Sequence, residues 1–243
     1  YMRRCIFPHN YHHITYIHLL NITNTITKYI KIAMVEHMKR IEFDNITTLI
    51  ITNKKIDYTG IEIEPLWTYK NFDIQKDSIV AFQGALCVSI DNMKDLKDIK
   101  EEAKRGDILI KSSRAINFIV EHFDNPDLKI AYLRQRILIA IAKEVIEEIT
   151  DKTIIRKGDD LYYNSGKLSV SIACRGISSS KIHLGINISN EDTPNYINTS
   201  SLYDLGINII DNANINNIME KIAIKYGEEM EKIENDIRKT QCI

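Results

Sequence analysis

Apolar, β-branched runs bounded by polar or glycine clusters predict six strands: TLIIT (48–52), SIVAF (78–82), DILIK (107–111), KTIIR (152–156), KLSVSIA (167–173) and KIHLGINIS (181–189). Elsewhere the apolar positions recur at helical spacing. Residues 113–123 follow a serine cap and put Ile116, Ile119, Val120 and Phe123 on one stripe. Residues 127–149 do the same with Ile130, Leu133, Ile137, Ile141 and Val145. Residues 214–239 align Ile215, Ile218, Ile222, Tyr226, Ile233 and Ile237, and the charged stretch 91–105 predicts a weaker helix. The order strand, strand, helices, strand, hairpin, helix is that of an α+β fold, a mostly antiparallel sheet with flanking helices. No G-x-G-x-x-G or P-loop follows a strand, which excludes Rossmann and Walker-type sites.

Alternation within the hairpin distinguishes two faces. Lys167, Ser169 and Ser171 share one parity, and Leu168, Val170 and Ile172 the other. On the next strand Ile182, Leu184, Ile186 and Ile188 stand opposite His183, Gly185 and Asn187. Pairing the strands predicts one aliphatic face under helices and one polar face that gathers Lys167, Ser169, Ser171, His183, Gly185 and Asn187. The turn NSG (164–166) brings Asp159 and Asp160 to its rim. Two interpretations of that face stay open at this level. It is the wet side of an antiparallel sheet, or it floors a cleft in which lysine holds a carboxylate or phosphate and paired acids hold Mg²⁺.

Charge and composition narrow the classes of partner. The chain has 243 residues, 44% hydrophobic, with 32 basic and 33 acidic side chains. Residues 1–37 hold five of the seven histidines, one acid and no glycine, leaving a net charge of −4 on 38–243. No electropositive field is present for nucleic acid, and no apolar run approaches a membrane span, so neither is expected as a partner. The four cysteines are scattered without C-x-x-C pairs, in keeping with a cytoplasmic protein. We expect 1–37 to be a non-domain extension produced by a mis-called start, with the true start near Met34 or Met38 and 38–243 as a single domain. The alternatives for PHNYHH (8–13) are a metal-binding tract or a targeting stretch.

The segment DDLYYNSGKLSVSI…KIHLGINIS is similar to the core of biotin protein ligases. Those enzymes carry Asn-Asp, a short turn, Lys-hydrophobic-x-Gly and a strand ending Gly-hydrophobic-Asn-hydrophobic. Lipoate ligases carry the related Lys-Ile-Ser-Gly-Ser. Over 48–243 the chain also resembles an archaeal family defined by a domain of unknown function, number 366, through KIDYTG (55–60), PLWTYKNFDIQKDSIVAFQG (65–84), LRQRILIAIAKEV (133–145) and the hairpin. The resemblance implies the biotin/lipoate ligase-like fold, a class II synthetase-type architecture. It implies a ligase-like function, ATP-dependent activation or transfer of a small carboxylate, using ATP and Mg²⁺. A non-catalytic binder of a small carboxylate or nucleotide is the alternative. The sequence leaves a homodimer open. Two departures stand out: no Gly-Arg-Gly-Arg-x-Gly loop precedes 107, and Val170 replaces a usual glycine.

On this resemblance Lys167 and Asp160 are the expected catalytic pair. Ser169, Ser171, His183, Gly185, Asn187 and Arg136 are expected to bind substrate, and Asp159 with Asp160 to hold Mg²⁺. Arg134 and Arg136 lie about 200° apart on a helix, so at most one faces a cleft.

Overall fold

The computed structural model describes residues 15–16, 31–35, 38–106, 110–124 and 126–241. In chain order the elements are β1 (Thr15–Tyr16), β2 (Lys31–Val35), β3 (Met38–Glu42), β4 (Ile46–Lys55), α1 (Trp67–Phe72), β5 (Asp77–Cys87), α2 (Leu96–Arg105) and β6 (Lys111–His122). There follow α3 (Leu128–Thr150), β7 (Ile155–Lys157), β8 (Asp160–Tyr163), β9 (Gly166–Lys167), β10 (Ser169–Arg175), β11 (Ser180–Asn187) and α4 (Asn212–Lys239). The main sheet runs β1-β2-β3-β4-β5-β6-β11-β10, and β7-β8-β9 form a second, small sheet. Only β4 and β5 pair in parallel among these strands; the fold is α+β with a mostly antiparallel sheet.

Two of the sequence expectations need correction. Residues 113–123 are not a helix but most of β6, the strand between β5 and β11. A strand covered on both faces loses its polar alternation. Ile116, Phe118 and Val120 enter the core under the helices, while Ala115 and Ile119 enter the opposite core. The continuous apolar run therefore mimics a helical stripe. On α3 the buried stripe is Ala131, Leu138, Ile139, Ala142, Val145 and Ile146, with Ile141 (9% exposed), whereas Leu133 is 57% exposed.

The proposed boundary at residue 38 falls between two paired strands, β2 and β3. The histidine tract PHNYHH lies outside the described residues, as do residues 107–109 of the expected strand DILIK, whose Lys111 opens β6.

One sheet face packs against α3 and α4 to form the larger core, where Tyr226, Phe118 and the β11 isoleucines are fully buried. The other face carries Leu49, Ile51, Val80, Phe82 and Ile119 and is covered by α1 and the segments around it, with Trp67 inserted among them. Where that covering is incomplete, over β10 and β11, a cavity opens.

Candidate functional site

The cavity has a volume of about 440 Å³, within the range of sites for small organic ligands. Its sheet wall presents Val170, Ile172 and His183, and Tyr58, Leu86 and Met93 continue the apolar surface. Its rim carries Lys167, Asp159 and Asp160 from the β7–β9 region. The facing wall is α2, which turns Lys97, Asp98, Glu101 and Arg105 inward from one helical face.

Lys167 follows a tight hairpin. Asn164 (φ 46°) and Ser165 (φ 65°) are both left-handed, as a two-residue type I′ turn requires. Gly166 lies so close to the 199–200 backbone that a Cβ would stand 2.8 Å from the Thr199 carbonyl. Lys167 N–H donates to Asn198 O (2.8 Å), and Ser200 N–H donates to Lys167 O (2.9 Å). Its ammonium meets Asp160 Oδ2 at 3.0 Å. Burial raises the Asp160 pKa above the ordinary carboxylate value, and the Lys167 charge offsets only part of that shift. Asp159 pairs with Arg136 at 3.3 Å.

Lys167, Ser171, His183, Asn187, Asp159 and Asp160 all border this cavity. Ser169, Gly185 and Arg136 do not line it, and the Ser171 hydroxyl bonds on the helix side. The strand breaks at Leu168, where both Leu168 and Ser169 are fully buried on the helix side. One extra inward residue reverses the parity of everything after it. Val170 and Ile172 therefore oppose Gly185 and His183 on the cavity face, while Ser169 and Ser171 oppose Ile186 and Leu184. Ser169 Oγ accepts from Leu161 N–H (2.9 Å). Ser171 Oγ donates to the His183 carbonyl and accepts from Gln135 Nε2, both at 2.8 Å. Both hydroxyls bond on the helix side of the sheet, away from the cavity.

Gly185 does not give a ligand access to the backbone, because the His183 ring and the Leu86 methyls already occupy that space, 3.2 Å from where a Cβ would lie. Asn187 donates through Nδ2 to Lys167 O (3.3 Å) and Ser200 O (3.1 Å), so it braces the lysine. Arg136 is absent from the cavity lining and reaches the rim only through Asp159. Arg134 pairs with Asp124. Among the described residues no group of three or more His, Cys, Asp or Glu side chains gathers as a metal site.

His183 is 2% exposed, stacks on Tyr58 at 3.4 Å between ring centroids, and meets Asn117 Oδ1 through Nε2 at 3.0 Å. Burial pulls its pKa down from 6.5 to about 3, so the ring is neutral at neutral pH. A depressed pKa means that the unfolded chain binds the proton first. Stability is therefore full above about pH 6.5 and is lost as pH falls toward 3, by up to about 1.4 kcal/mol per unit. Urea unfolding at pH 7 and pH 5 should show this slope in the wild type and a shallower one in His183→Gln. Equal slopes would contradict a buried neutral ring.

Sequence pattern missed the α2 wall and Tyr58. The signal available was the mixed-sign charge of 91–105, which resembles any solvated helix until the cavity is seen. Asp77, at the start of β5, accepts from His122 Nδ1 at 2.6 Å, and His122 Nε2 meets the Tyr226 hydroxyl at 2.9 Å, in the opposite core. No described helix is long and apolar enough to cross a membrane.

The family profile described as a domain of unknown function (DUF366) matches residues 47–241. An uncharacterized protein of Methanocaldococcus jannaschii is 55% identical over 193 residues, covering 79% of this chain and 84% of that protein. A protein of unknown function from Pyrococcus horikoshi superposes with a TM-score of 0.73 at 34% identity, covering 82% of this chain and all of that one. A variant biotin protein ligase from Aquifex aeolicus in complex with biotin superposes with a TM-score of 0.50 at 16% identity, covering 80% of this chain and 73% of the ligase. At that identity the likeness shows the biotin/lipoate ligase-like fold alone.

Proposed function

We propose that this chain, which belongs to the family of the domain of unknown function DUF366, binds a small carboxylate in the cavity and activates it with ATP. The observation that carries this reading is Lys167, its backbone pinned and its ammonium held by Asp160 at the rim of a cavity whose sheet wall is apolar. A carboxylate head on Lys167 would lay its organic body against Val170, Ile172 and Tyr58. Lys94, Lys97, Arg105 and Lys111, lining the same cavity, suit the phosphates of a nucleotide. In the reaction a carboxylate oxygen attacks the α-phosphorus, the bond to the β-phosphate bridging oxygen breaks, and pyrophosphate leaves. Lys167 would offset the negative charge that gathers there. Asp159 and Asp160 could hold Mg²⁺ by leaving Arg136 and Lys167, and the ion would supply further charge compensation on the phosphates.

Pyrophosphate exchange with biotin, lipoate, fatty acids and amino acids tests this reading, and exchange with none of them counts against it. The second reading is a non-catalytic binder of a carboxylate or nucleotide. The observations that favour it are the lack of a Gly-Arg-Gly-Arg-x-Gly loop in the sequence and the side chain of Val170 on the cavity wall. A ligand retained in native mass spectrometry without exchange activity would support that second reading.

A further inference from the structure

We propose that the ligand is a small zwitterion, an amine-bearing carboxylic acid of the amino-acid class with an apolar side chain, its ammonium against Asp98 and its carboxylate against Lys167. The inference rests on the carboxylate reading of the cavity and specifies its substrate class.

Charge at the site supports this assignment. The cavity is lined by five basic and five acidic side chains. Acidic side chains are as numerous as basic ones on this lining, so a cationic group of the ligand finds partners there beside the bases that suit a carboxylate and phosphates. Lys167 is already paired with Asp160 at 3.0 Å, so a lone carboxylate would add a third charge to a neutral pair. Asp98 is in the opposite condition. Its carboxylate has no ion-pair or hydrogen-bond partner among the described residues. Burial and then the Asp95 carboxylate push its pKa up, with Glu101 adding to them, while Lys167 acts in the other direction. Asp98 therefore has no cation in direct contact, although it lies within electrostatic reach of Lys167 and Lys97.

A second observation, independent of the acids, also points to a ligand. His183 on the cavity wall is 2% exposed, with Nε2 engaged by Asn117 and its ring stacked on Tyr58. Its Nδ1 has no hydrogen bond among the described residues, which leaves a polar atom of this nearly buried ring for a molecule bound in the cavity. The apolar side chains of Val170, Ile172, Leu86 and Met93 would take the remaining body of the ligand. A zwitterion entering there places each of its charges beside an opposite one and adds no net charge to a partly desolvated space.

The test is isothermal titration calorimetry of the full chain with L-leucine and L-phenylalanine, their deaminated counterparts 4-methylpentanoate and 3-phenylpropanoate, and the amines 3-methylbutylamine and 2-phenylethylamine. Each truncated probe removes one charge-assisted contact and should bind about tenfold to hundredfold more weakly than its amino acid. Asp98→Asn, of equal size, should weaken the amino acids by a similar factor and leave the carboxylates unchanged. Carboxylates that bind as tightly as the amino acids overturn the zwitterion, as does a lack of binding by both amino acids. Amino-acid binding unaffected by Asp98→Asn removes Asp98 from the site. If Lys167→Met leaves every probe's affinity unchanged, it is the underlying placement of the carboxylate that fails.

Discussion

Replacing Lys181 by methionine is expected to destabilise the protein by about 3–5 kcal/mol, because it leaves a buried carboxylate without its counter-ion. Lys181 and Glu121 are 1% and 0% exposed in their side chains and meet at 2.5 Å. Glu121 Oε1 also accepts from Ser179 Oγ (2.8 Å) and Leu66 N–H (3.2 Å), and Oε2 accepts from Thr68 Oγ1 (2.8 Å). One carboxylate thus ties β6 to β11 and to α1 with the segment before it. The pair need not stabilise the fold relative to an apolar core of equal volume, but either half alone is costly. The double variant Lys181→Met/Glu121→Gln removes both charges and keeps an acceptor for Leu66 N–H and the Ser179 hydroxyl, while the new amide NH2 can donate to Thr68 Oγ1. It should recover part of the loss, giving a favourable coupling energy in urea unfolding. A single-variant loss below about 1 kcal/mol would show that water or neighbouring groups already solvate the pair, contrary to its burial.

That ion pair also shows where sequence pattern stops being informative. Glu121 lies in FIVEHF, where helical spacing predicts a solvent-facing acid, and Lys181 opens a strand, where lysine is ordinarily at the edge. Only the placement of β11 against β6, with Lys181 directly opposite Glu121, brings the two charges together, and that placement is a long-range fact. The same holds for β6 itself, whose two-sided burial is set by neighbours distant in sequence. The α+β order, the long helices and the hairpin were legible because their signals are local: caps at Asp127 and Asp211, a 3.6-residue period, and a turn with two left-handed residues. The proximity of Lys167 and Asp160 was legible for the same reason, since a tight hairpin fixes both. The orientation of Ser169 and Ser171 was not. A single break at Leu168 inverts the faces, and nothing in KLSVSI announces it. Asp98 and Arg105 come to the cavity through the docking of α2, which depends on tertiary packing.

The second large effect is expected at Lys167. With whichever acid supports exchange, Lys167→Met should lower kcat/KM by about 10²–10³, the loss typical for removing one preorganised charge from developing negative charge. Lys167→Arg should not restore activity, although it keeps the charge. The ammonium stands 3.0 Å from Asp160 on a backbone fixed by Asn198, Ser200 and Asn187, and the longer planar guanidinium cannot take the same position. Asn187→Ala separates position from charge. It leaves the lysine in the chain but removes the amide that bridges Lys167 O and Ser200 O, so its loss should be smaller and should fall mainly on kcat. Near-wild-type exchange by Lys167→Met would move the chemistry away from the β9 rim and leave the cavity with a binding role only. A loss in Lys167→Met that Lys167→Arg fully repairs would instead mean that charge alone is needed there, and that the brace through Asn187 serves the fold and not the reaction.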